Sequence, residues 1–99
     1  MNISFNSVRF KADQKLEFFI SEKLEKIAKI YDGIIGFDVT LKLENTEKPE
    51  NKTVEIRAKI RGNDAMAQKS AKTFEEAADE VTQALKKQLL KVKNKIRKN

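Results

Sequence analysis

The side chains with the clearest chemistry in this sequence lie toward its C-terminal end. From Val81 to Asn99 the ionised residues are Lys86, Lys87, Lys91, Lys93, Lys95, Arg97 and Lys98, with no acid among them. Lys87–Lys91, Lys91–Lys95 and Lys93–Arg97 stand four apart. On a helix these are like-charged neighbours, each pair costing roughly a few tenths of a kcal/mol. Selection for helix stability alone would intersperse glutamate, as the stretch from Leu16 to Tyr31 does. Basic clusters without acids are the footprint of a polyanion-binding surface. The chemistry on offer is neutralisation of phosphates.

Bond-making chemistry finds few candidates. The chain has no histidine and no cysteine, so Ser-His, Cys-His and zinc sites are absent as types. Glu75, Glu76, Asp79 and Glu80 cluster, but at the start of a helix, where the macrodipole favours anions without any site. Gly33, Gly36 and Gly62 are scattered and make no phosphate-cradling loop. The expectation is a non-enzyme with no catalytic residues, metal, cofactor or small-molecule substrate.

Composition sets the frame for that end. Ninety-nine residues fit one domain, 1–99. Lys plus Arg number 21 and Asp plus Glu 15, for a net +6. Residues 1–80 hold 14 of the bases and all 15 acids, so the body is near neutral and the excess sits in the last helix. Without cysteine there is no disulfide framework, and a reducing cytoplasm is permitted. No apolar run approaches the ~18–20 residues a membrane helix needs. The start, MNISFNSVRF, lacks a signal-peptide layout.

The elements that must present the lysines follow from hydrophobic period. Ile3 and Phe5 alternate with polar residues as a first strand. Asp13 is an N-cap for a helix whose stripe is Leu16, Ile20, Leu24, Ile27 and Tyr31, widened by Phe19 and Ile30. Asp32-Gly33 ends it, with Gly33 as a left-handed C′ residue. Phe37, Val39, Leu41 and Leu43 mark a second strand, and Val54, Ile56, Ala58 and Ile60 a third. Polar residues around Pro49 join them. After a Gly62-Asn63-Asp64 turn, residues 65–69 form a weak fourth strand. Thr73 or Ser70 caps a final helix with the stripe Phe74, Ala78, Val81, Leu85, Leu89, Val92 and Ile96. The order β-α-β-β-β-α gives an α+β two-layer sandwich: a four-stranded mixed sheet with a parallel βαβ start and both helices on one face.

On the final helix, at about 100° per residue, the stripe stays within about 40° of Leu85. Lys86, Lys93 and Arg97 fall on one flank, and Lys87, Lys91, Lys95 and Lys98 on the other. A membrane-binding helix would expose its apolar stripe and carry interfacial aromatics. This stripe is needed to cover the sheet and no aromatic follows Phe74, so nucleic acid is the better polyanion. On the first helix Lys15, Lys23, Lys26 and Lys29 share a flank, with Lys23 and Lys26 bordering the core. Arg57, Lys59 and Arg61 share their sheet face with Glu55 and Glu44, which reads as a mixed solvated surface. The open sheet offers no aromatic for base stacking, so recognition through phosphates and shape, as in double-stranded RNA modules, fits better.

The residues also resemble a family over most of the chain. Leu85-Lys86-Lys87-Gln88-Leu89-Leu90-Lys91-Val92-Lys93-Asn94-Lys95 is similar to the L-x-R-Q-L-x-K-x-K-x-K run of the short ribosome hibernation-promoting factors. That bacterial group also contains the ribosome-associated inhibitor of translation. Ala77-Ala78-Asp79 sits at the family's A-I-D, and Phe19 to Ile27 resembles F-[VI]-x-x-K-[FL]-x-K-[LI]. Asn6 stands in place of a glycine, and Gly62-Asn63 in place of Gly-Gly.

The resemblance implies a double-stranded-RNA-binding-domain-like fold. It implies binding to the small ribosomal subunit and its rRNA, in the channel of mRNA and of A- and P-site tRNA, and inhibition of translation in the cytoplasm. By carry-over, Lys86, Lys87, Gln88, Lys91, Lys93 and Lys95 contact RNA, with Lys23 and Lys26 second. The chain stops at Asn99 without the dimerisation domain of long forms, so the short form is the nearer likeness and a monomer is expected off the ribosome. The alternatives are a generic double-stranded or structured RNA-binding module, and a lysine-rich domain that assembles with an acidic protein.

Overall fold

A computed structural model of the chain describes the backbone of residues 2–97 and the side chains of residues 2–91. Its elements are β1 (Asn2–Val8), α1 (Gln14–Ile30), β2 (Ile34–Leu43), β3 (Lys52–Ile60), β4 (Ala65–Ala71) and α2 (Phe74–Arg97). The sheet order is β1-β2-β3-β4. β1 pairs parallel with β2, whereas β2–β3 and β3–β4 are antiparallel. This is the mixed sheet that one crossover helix and two hairpins produce.

Alternation decides the faces. Phe37, Val39 and Leu41 of β2, and Val54, Ile56 and Ala58 of β3, are buried on the helix side. They meet Leu16, Ile20, Leu24 and Ile27 of α1, and Ala78, Val81, Leu85 and Leu89 of α2, in one continuous core. Burying the two helical stripes on one sheet face leaves the other face to solvent. Ion pairs between Lys59 and Asp38 at 3.3 Å, and between Lys42 and Glu55 at 3.9 Å, join strands there. That face is the mixed solvated surface its alternating charges imply.

Caps fix where the helices begin. The Asp13 carboxylate accepts from the Leu16 amide at 2.8 Å. The Thr73 hydroxyl accepts from the Glu76 amide at 3.1 Å. Thr73, not Ser70, therefore starts α2. Ser70 belongs to β4, where its hydroxyl lies 2.6 Å from that of the fully buried Thr53. The stacked rings of Phe10 and Phe74, 4.4 Å apart, pin the β1–α1 loop to the start of α2.

Three local readings are corrected. Tyr31, in an extended conformation, is the C-cap of α1. Gly33, at φ +107°, stands two residues beyond that cap and turns the chain into β2; it is not the C′ residue. β2 begins at Ile34, ahead of the alternation, because a bulge between Ile34 and Gly36 interrupts the period. β4 runs on to Ala71, past residue 69, because its pairing with β3 continues to Lys52.

Candidate nucleic-acid interface

α2 crosses the helix-side layer with its stripe against the sheet, so the flanks of that stripe become the walls of two grooves. The first lies between α1 and α2. Lys23, Lys26 and Lys86 line it, over a floor that includes Ile27 and Thr82. The second is an open cleft of about 440 Å³ between α2 and the edge strand β4. Lys87, Gln88 and Lys91 line it from the helix and Lys69 from the strand. Among the described residues, the two flanks of the helical wheel are thus two grooves on either side of α2, with Lys86 in one and Lys87 and Lys91 in the other.

The cations differ in how free they are. Lys26, Lys86, Lys87 and Lys91 are exposed. Among the described residues none of them joins an ion pair. Lys23 is different. Its ammonium lies 2.9 Å from the Asp79 carboxylate and 4.9 Å from the centre of the Phe19 ring. It ties α1 to α2. The hydrogen bond and the charge of Lys23 hold the Asp79 carboxyl below its ordinary pKa, and a contact from Gln83 adds to this. Asp79 therefore has a specific partner beyond its place near the start of α2.

Gln88 is also engaged within the molecule. Its side-chain amide donates to the Met66 carbonyl of β4 at 2.9 Å. A carbonyl on the outer rim of an edge strand is thereby covered by the helix, which blunts a pairing edge. Lys93 and Lys95 lie outside the residues whose side chains are described. The structure therefore brings Lys26 and Lys86 together with Lys23 in one groove, and Lys87, Gln88 and Lys91 in the other.

Residues 3–97 match the family model described as Sigma 54 modulation protein / S30EA ribosomal protein. The chain belongs to this family. It is a ribosome-associated family and not an enzyme class. The fold is that of a ribosomal subunit interface protein from Coxiella burnetii, with a TM-score of 0.84 at 21% identity, covering 95% of this chain and 99% of that one. It is also that of the N-terminal domain of Protein Y from Thermus thermophilus, with a TM-score of 0.75 at 20% identity, covering 90% of this chain and 96% of that one. No curated protein sequence matches the chain.

One cation in the cleft was missed by sequence reasoning. Lys69 pairs in register with the buried Val54, so it sits on the helix side of the sheet at the edge. The signal was present: Ala65 and Ala67 point inward, and position 69 keeps their parity. A strand of alanines read as weak concealed it.

Proposed function

We propose that this protein is a ribosome hibernation factor. It binds the small ribosomal subunit in the channel used by mRNA and by A- and P-site tRNA, and it inhibits translation. It acts in the cytoplasm and contacts rRNA. The observation that carries this reading is the pair of lysine-lined grooves flanking α2 in a chain of the S30EA family. Lys26, Lys86, Lys87 and Lys91 are the RNA contacts, with Lys93 and Lys95 continuing the row. Lys23 and Gln88 contribute mainly by positioning, since each is already bonded across an element boundary.

The test is co-sedimentation with ribosomes together with inhibition of translation in vitro. Protein that stays in the supernatant at low salt with ribosomes in excess contradicts the proposal. Charge gives a second measure. Each phosphate contact contributes ~0.7–0.9 to the slope of log affinity against log salt. Replacing Lys87, Lys91 and Lys95 with Gln should flatten that slope, and an unchanged slope would move the site elsewhere.

A basic helix packed on the antiparallel strands β2, β3 and β4 of the mixed sheet also suits a generic double-stranded RNA module. Competition separates the two: displacement by mRNA with tRNA is expected only of the ribosome-channel reading.

A further inference from the structure

The cleft between α2 and β4 combines features that the carry-over of family positions did not assign. Lys69 faces Lys87 and Lys91 across it, and it comes from a strand. Lys87 and Lys91 are one helical turn apart, about 6 Å along the axis. That rise is close to the spacing of successive phosphates along a nucleic-acid strand. Apart from Ala84, every lining residue is polar or charged, which disfavours an apolar ligand. Glu80, the single acid in the lining, stands on α2 about two turns before Lys87 and bounds the cationic stretch at that end. The cleft is open, so it admits a continuous chain better than it encloses a small anion. Gln88 holds the strand wall to the helix through Met66.

We propose that the β4–α2 cleft seats the sugar–phosphate backbone of one RNA strand, and that Lys69 is a phosphate contact on its outer wall. The inference rests on the RNA-binding reading above and deepens it. It distinguishes the cleft from the α1–α2 groove, whose lysines stand on two helices and whose lining includes the Lys23–Asp79 ion pair. A strand-borne lysine opposite a helix-borne pair lets phosphates be neutralised from both sides. A basic helix alone does this from one side only.

The experiment measures affinity of the full chain for purified small ribosomal subunits across a salt series. Lys69→Gln is compared with wild type, with Lys87→Gln/Lys91→Gln, and with Lys48→Gln. Lys48 lies in the exposed β2–β3 loop and removes the same charge away from the cleft. Lys69 is exposed, so the melting temperature of Lys69→Gln should match wild type. The expected result is a slope lowered by about 0.7–0.9 for Lys69→Gln, a larger drop for the helix pair, and no change for Lys48→Gln. If Lys69→Gln behaves as Lys48→Gln while the helix pair flattens the slope, the cleft proposal is overturned and the ribosome reading stands. If no variant alters the slope, or wild type does not bind the subunit, both fall.

Discussion

Lys23 and Asp79 show how the same residue type can serve structure or partner. A lysine with a carboxylate at 2.9 Å and an aromatic face beside it has less to gain from an external phosphate than an unpaired one. Neutralising Lys23 should therefore lower ribosome affinity less than neutralising Lys87, in side-by-side pull-downs at one salt concentration. The pair also titrates. Asp79 has its pKa lowered in the folded state. Its contribution to stability is therefore complete above the ordinary carboxylate value of 3.8 and is lost as pH falls through the folded-state pKa. Carboxyl NMR should find Asp79 titrating below 3.8 in wild type and returning toward that value in Lys23→Met. An unshifted Asp79 in wild type would remove the tether. At this scale the sequence was a partial guide. Lysine type and spacing located the flanks, but whether a given lysine was free depended on an acid 56 residues away. No local pattern encodes that.

Elements were the most legible level, because each carries its own period. The stripes of α1 and α2 and the alternation in β2 and β3 depend on which face is buried, and burial is what sets hydrophobic pattern. Departures occur where backbone, not side-chain pattern, sets the geometry. Gly36 is the clearest. A Cβ placed there would stand 2.6 Å from the Asn2 carbonyl oxygen across the β1–β2 pair, beside the bulge. Gly36→Ala should destabilise by about 1–3 kcal/mol through overpacking, read as a shifted denaturant midpoint. Thr73→Ala removes the α2 cap and should cost about 1 kcal/mol; Ser70→Ala leaves that cap intact. Leu85 is fully buried between α2 and the sheet. Leu85→Ala should cost about 2–5 kcal/mol. Its binding loss should vanish once the folded fraction is accounted for, because Leu85 reaches no groove. A binding defect in fully folded Leu85→Ala protein would contradict that assignment.

The whole molecule divides its charge by layer. The outer sheet face pairs much of its own, through Lys59 with Asp38 and Lys42 with Glu55. The helix layer leaves Lys26, Lys86, Lys87 and Lys91 exposed on either side of α2. A net +6 would suit many polyanions; its concentration around one helix suits a structured RNA surface. The two-layer arrangement was readable in advance because both helices and every strand have a single apolar face. The second wall of the cleft was legible only as the parity that puts Lys69 on the side of Ala65 and Ala67, and that parity marks a wall only once β4 lies against α2.

A cryo-EM map of the protein bound to ribosomes shows whether α2 is the element that faces rRNA. The expected density lies between the head and body of the small subunit, overlapping the mRNA and tRNA path, with α2 and its two grooves against rRNA. Density elsewhere, or the outer sheet face turned to RNA with α2 toward solvent, would contradict it.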